Sequence, residues 1–192
     1  MSPKKPRLPP GQRLTERFPI LQAGNIPQIS INDWQLKIHG EVEKALTLTY
    51  AELISLPSSK ITCDLHCVTS WSKFDTIWEG VPFKEIIKLV QPRPNVKFVI
   101  FECADLGGQF TTNVPLEALL DEDVLLAYKY DDKPLETVHG GPVRGLVPNK
   151  YFYKSAKWVI GLKFVKEDEP GYWEKRGYSN SADPWKEERF SR

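Results

Sequence analysis

The run Lys97-Phe98-Val99-Ile100-Phe101-Glu102-Cys103 constrains this chain more than any other stretch. It is a nearly continuous apolar segment of strand length, and such a strand is covered on both faces. Other segments agree with a sheet-based fold. Residues 34–40 alternate apolar and polar and stop at Gly40, and residues 61–68 read as a strand that runs into a polar turn over 69–75. Residues 124–130 form another, ended by the turn 131–134, and residues 142–148 and 157–165 give two more. Helical signals are short. Thr49 caps residues 50–54, with Glu52 completing a capping box, and Pro57 closes the helix. Residues 83–90 form a second helix, and residues 115–121 a third with Pro115 at its first position. Sixteen prolines and six tryptophans add many turns braced by large side chains. The expected fold is α+β, built on mixed β-sheets.

The 192 residues are expected to form one domain, 1–192. Residues 1–30, rich in proline, form an extended N-terminal arm, disordered only at its first few residues. Residues 167–192 form a polar C-terminal tail. A formal charge of +1 gives no global field for nucleic acid or an anionic membrane. No apolar run reaches the roughly 18 residues of a spanning helix, and the basic N-terminus is not followed by a secretory core. The expected location is the cytoplasm. There Cys63, Cys67 and Cys103 are thiols rather than a disulfide scaffold.

Two constellations carry chemistry. Cys67 lies where a strand runs out into a loop, in Asp64-Leu65-His66-Cys67-Val68-Thr69-Ser70-Trp71. A thiolate there can ligate a soft metal, act as a nucleophile, or remain a buried structural thiol. Zinc is weakly supported, since Cys63, His66 and Cys67 lack the spacing of a four-ligand site. Cys103 belongs to the core. The second constellation is His139-Gly140-Gly141-Pro142-Val143-Arg144, followed by Lys150, Lys154, Ser155 and Lys157. Paired glycines let backbone N–H groups approach a ligand, and the cations suit a phosphate or another anion. The alternative is a tight turn beneath solvated charges.

In this order the pieces resemble the sulfite-oxidase-type molybdopterin-dependent oxidoreductases, especially short bacterial members related to the methionine sulfoxide reductase catalytic subunit. The resemblance runs from about Arg7 to the C-terminus and rests on HCVTSWS at 66–72, WEGVPF at 78–83, HGGPVRGLVP at 139–148 and YKSAKWV at 153–159. The tail GYWEKRGYSNSADPW fits as well. The resemblance implies a mixed-sheet fold around a buried pyranopterin, with Cys67 as the protein's ligand to molybdenum. It assigns His66, His139, Gly141, Arg144, Lys154, Ser155 and Lys157 to cofactor binding, and Tyr178 to the substrate side of the metal, with the tail near the active site. It implies a pterin without nucleotide, two-electron oxygen-atom transfer on a small substrate, and a separate electron-transfer protein as partner. The two adjacent arginines that follow the ligand cysteine in sulfite oxidases are missing, since Val68-Thr69-Ser70-Trp71-Ser72-Lys73 stands there. A neutral S-oxide or N-oxide is therefore at least as plausible as sulfite. The rival readings are a metal-free thiol enzyme using Cys67 with His66 or His139 as base, and a non-catalytic pterin-binding module.

Overall fold

The computed structural model describes residues 6–191. The strands are β1 (Arg13–Leu14), β2 (Gln35–Gly40), β3 (Leu46–Thr49), β4 (Ser59–His66), β5 (Trp71–Pro82) and β6 (Phe98–Cys103). They are followed by β7 (Thr111–Pro115), β8 (Leu125–Tyr130), β9 (Lys133–Pro134), β10 (Arg144–Leu146) and β11 (Val159–Val165). Two short α-helices, α1 (Tyr50–Ser55) and α2 (Phe83–Val90), complete the regular structure with several 3-10 turns. Mixed sheets with few helices are what the apolar patterning requires.

One sheet has the order β3-β2-β11-β6-β7, with β2 and β11 parallel and the remaining pairs antiparallel. In β6, Val99, Ile100 and Phe101 are all buried, as expected of a strand covered on both faces. The other sheet is organised by the long strand β5. It pairs with β4 and β8 antiparallel and with β1 parallel, while β10 and β9 extend from β8. Between the sheets, Leu36, Ile38, Phe101, Leu162 and Phe164 meet Val81, Leu126 and the buried face of α2. That face is Phe83, Ile86 and Val90, at helical spacing.

The local signals explain the helix ends. Thr49 Oγ1 accepts from Glu52 N–H, and the Glu52 carboxylate accepts from Thr49 N–H, so the capping box is complete. α2 stops at Gln91, whose φ of 52° breaks the helix. Two expectations need correction. The stretch 69–75 is not a polar turn throughout: β5 begins at Trp71, because Leu65 and His66 of β4 pair with Lys73 and Ser72. Ladder pairing outweighs polar composition there. Pro115 ends β7, paired with Phe98, and precedes a 3-10 helix at Leu116–Leu120 rather than opening an α-helix. The first five residues of the arm lie outside the described residues. From Arg13 the arm joins a sheet beside Trp71 and Ser72. No helix among the described residues is long and apolar enough to cross a membrane.

Candidate functional site

The hairpin β4–β5 presents Cys67. β4 ends at His66, and the link to β5 is a tight turn in which Cys67 N–H donates to Trp71 O at 2.8 Å and Ser70 N–H to Cys67 O at 3.0 Å. Ser70 has a φ of 71°, the left-handed region that closes such a turn. Distant segments clamp it. Gln12 Nε2 donates to Cys67 O at 3.1 Å, and Arg189 Nη1 donates to Val68 O at 2.6 Å. Cys67 Sγ lies 3.2 Å from Thr69 Oγ1. Burial pushes the Cys67 thiol above its ordinary range, against the hydrogen bond from Thr69 and the charge of Arg189.

Across a cavity of about 300 Å³ from this turn lies the segment 139–158, with Arg144, Ser155 and Lys157 in its wall. Cavities of this size hold small molecules and cofactors. Arg144 is 2% exposed. Its Nη1 donates to His139 O at 2.7 Å, its Nη2 to Ser155 O at 2.6 Å, and its guanidinium stands 4.2 Å from the Phe152 ring centre. Lys157 Nζ donates to Val138 O at 3.3 Å over the face of Trp158. Neither cation has a carboxylate ion-pair partner among the described residues. Burial lowers Arg144 to about 9, and burial with the charge of Arg144 lowers Lys157 to about 8. Two part-desolvated cations that form no ion pair, with Asp105 acting on Lys157 only through its charge at longer range, favour binding of an anion. The Ser155 hydroxyl oxygen accepts from Val147 N–H at 2.9 Å, which leaves its proton able to donate.

Six of the nine residues singled out from the sequence line this one cavity: Cys67, His139, Arg144, Ser155, Lys157 and Tyr178. Tyr178 stacks on Trp173 and touches Tyr153 and Phe190, so the tail does reach the cavity. His139 stacks flat on Phe18, ring centres 4.0 Å apart, and burial with the charge of Arg144 lowers its pKa. The other three residues do not line the cavity. His66 is buried elsewhere, with Nδ1 2.8 Å from Ser72 Oγ and its ring against Trp185. Burial takes it down to about 4, which keeps it neutral at pH 7. Gly141 N–H is already committed to Glu136 O at 3.1 Å; it is glycine because a Cβ would fall 2.0 Å from Leu135 O. Gly140, with φ of 105°, lets the chain turn against Lys157. Lys154 spends its ammonium internally, on Asn113 O, Asn113 Oδ1 and Glu174 Oε1 at 2.9, 3.0 and 2.5 Å. Three donors meet three acceptors, and none is left for a ligand.

Sequence reasoning missed four contributors. Gln12 and Arg189 hold the turn at Cys67, and Phe18 supports His139. The fourth, Asp105, lines the cavity at 4% exposure, with Oδ1 lacking any hydrogen-bond partner, and burial raises it to about 6. Its position just past the end of β6, where loops carry function, was the available signal. No three His, Cys, Asp or Glu side chains converge among the described residues, so a metal held at Cys67 must arrive with donors of its own. A phosphate-bearing pterin dithiolene fits this donor set: sulfur from one wall, cations in no ion pair from the other, and the unmet Asp105 carboxylate oxygen just past β6.

Comparison with known proteins agrees with that chemistry. Residues 23–173 match the family described as the oxidoreductase molybdopterin binding domain. The chain is 39% identical over 186 residues to the oxidoreductase YuiH of Bacillus subtilis (strain 168), covering 96% of this chain and 92% of that protein. It is 32% identical over 156 residues to the protein-methionine-sulfoxide reductase catalytic subunit MsrP of Campylobacter jejuni, covering 74% of this chain and 52% of that one. A putative protein-methionine-sulfoxide reductase subunit, YedZ1 of Azospira oryzae, is 30% identical over 88% of this chain and 64% of its own length. The chain thus spans about half to two thirds of those two relatives. In structure it resembles the sulfane dehydrogenase SoxCD of Paracoccus pantotrophus, with a TM-score of 0.66 and 25% identity over 74% of this chain and 40% of that one. The protein belongs to the molybdopterin-binding oxidoreductase family of sulfite-oxidase type.

Proposed function

We propose that this oxidoreductase binds a molybdenum–pterin cofactor through Cys67 and uses it for oxygen-atom transfer on a small neutral oxide. The observation that carries the reading is the pairing, across one cavity, of a cysteine sulfur with two cations, Arg144 buried and Lys157 partly buried, neither in an ion pair with a carboxylate among the described residues. When bound, the cofactor supplies a two-electron couple that moves an oxygen atom to or from the substrate. Cys67 supplies the thiolate, Arg144, Lys157 and the Ser155 hydroxyl hold the phosphate of a pterin without nucleotide, and His139 and Asp105 hydrogen-bond the ring system. Near the sulfur the lining is aromatic, with Trp71, Tyr153 and Tyr178 and no cation from the turn itself. That surface favours a neutral S-oxide or N-oxide over sulfite, in keeping with relatives named for methionine sulfoxide. Tyr178 donates its phenol hydrogen to the substrate oxygen. Gly141, His66 and Lys154 act through the backbone and the packing rather than on the cofactor.

Residues 1–192 function as one unit in the cytoplasm, with a separate redox protein delivering electrons. The thiol-enzyme alternative lacks a base: no histidine hydrogen-bonds Cys67 Sγ among the described residues, and burial keeps that thiol protonated. The test is elemental analysis of protein expressed in a molybdate-supplied host, beside Cys67→Ser. About one molybdenum per chain, lost or spectroscopically altered in the variant, is the expected result. Turnover of S-oxides or N-oxides but not sulfite, with a reduced dye as donor, tests the substrate class. Molybdenum-free protein from a cofactor-competent host would sink the reading.

A further inference from the structure

We propose that Thr69 is a positioning residue that sets the reduction potential of a metal bound at Cys67, by donating its hydroxyl hydrogen to the cysteine sulfur. The inference deepens the reading above and rests on it. Thr69 Oγ1 stands 3.2 Å from Cys67 Sγ, inside the range for a hydroxyl–sulfur hydrogen bond. The hydroxyl has no other hydrogen-bond partner among the described residues, and Thr69 is exposed at the cavity wall. Nothing in the fold around it therefore requires an oxygen there. The turn itself is fixed by the backbone bonds between Cys67, Ser70 and Trp71, with Gln12 and Arg189 outside.

The geometry gives the hydroxyl a specific task. The main-chain N–H groups of Val68 and Thr69 also favour a negative charge on the sulfur, as does the charge of Arg189. Those donors belong to the main chain and persist whatever side chain follows. The Thr69 hydroxyl is the one side-chain hydrogen bond on Sγ among the described residues. A hydrogen bond to a ligating thiolate draws charge from the sulfur, which weakens its donation to the metal and favours the electron-rich, reduced state. Removing it leaves the metal harder to reduce and lowers the potential.

The experiment is a spectroscopic redox titration of molybdenum-loaded wild type, Thr69→Val, Thr69→Ala and Thr69→Ser. Molybdenum content and the number of metal–sulfur contacts, from X-ray absorption, are measured on the same samples. Thr69→Val and Thr69→Ala should keep full metal and the same sulfur count, yet titrate at a lower potential. Thr69→Ser, which restores the donor, should return to the wild-type value. An unchanged potential in both hydroxyl-free variants overturns the proposal. So does loss of metal from both, which would make the role structural. A sulfur count that Cys67→Ser leaves unaltered, or wild type without molybdenum, removes the underlying reading instead and the proposal with it.

Discussion

The cationic wall of the cavity is built from neighbours in sequence, and the sulfur wall is not. Arg144 is satisfied by the carbonyls of His139 and Ser155, residues 5 and 11 positions away. The turn at Cys67 is held by Gln12 and Arg189, through contacts that span 55 and 121 positions. One wall is a local knot of glycines, carbonyls and two cations in no ion pair among the described residues. The other exists only once remote segments have met. The difference matches the two tasks proposed for these walls: anion binding on one side, and on the other a sulfur whose surroundings are set by long-range packing.

Substitutions test that separation. The largest effect is expected from Lys154→Met, which strands Glu174, its side chain 3% exposed, without its ion-pair partner. Breaking a buried pair costs about 3–5 kcal/mol. Denaturant melts should show that loss, while the fraction that remains folded keeps its molybdenum. Arg144→Met comes next. It leaves the carbonyls of His139 and Ser155 unmet, at about 2–3 kcal/mol in total, and pterin content assayed by fluorescence after oxidation should fall to background. Cys67→Ser should by contrast retain pterin while altering the metal. If it loses pterin as completely as Arg144→Met does, the two walls are not separate devices.

Lys157→Met sharpens the same comparison. It removes a part-desolvated cation that forms no ion pair and feels Asp105 only at longer range, so the melting temperature should hold or rise, whereas affinity for an anion drops roughly 10- to 100-fold, the scale of one charge-assisted hydrogen bond. The pH dependence follows with a definite sign. An unfolded lysine titrates near 10.4, and Lys157 in the folded chain near 8. Between those values the unfolded chain binds a proton that the folded chain has released. Cofactor-free stability from this group therefore rises with pH across that window. An added anion favours the charged form, so stabilisation by sulfate should be greatest below pH 8 and fade above it, read by thermal shift at pH 7 and 9.5. The smallest effect belongs to Gln12→Ala, at about 1 kcal/mol for one hydrogen bond, with slower metal retention but unchanged pterin binding.

The same local-versus-remote contrast decides what could be read from the sequence. β6, α2 and the capped α1 were visible because period and caps are written in consecutive residues. That Arg144, Ser155 and Lys157 come together on one wall was visible for the same reason. Lys154 was misleading: it sits in the same motif, yet its ammonium turns toward Asn113 and Glu174, neighbours that only the fold supplies. His66 misled in a different way. It stands beside Cys67 in sequence, but its ring packs against Ser72 and Trp185 and does not line the cavity. Gln12, Phe18 and Arg189 carry no motif at all. Their roles arise from where the two ends of the chain run, which no spacing rule encodes.

Those ends touch. Trp185 Nε1 donates to Pro6 O, and Arg189 Nη2 lies 3.4 and 3.3 Å from Pro10 O and Gly11 O. The contacts join residues 178 or 179 positions apart, so they form only once both segments have met. The segment around Arg144 needs no such meeting, because its hydrogen bonds are local. A chain cut back to residue 180 should therefore lose hydrogen-exchange protection at Cys67 and Ser70 while keeping it at Gly145 and Val147, whose amides bond to Ala156 and Ser155.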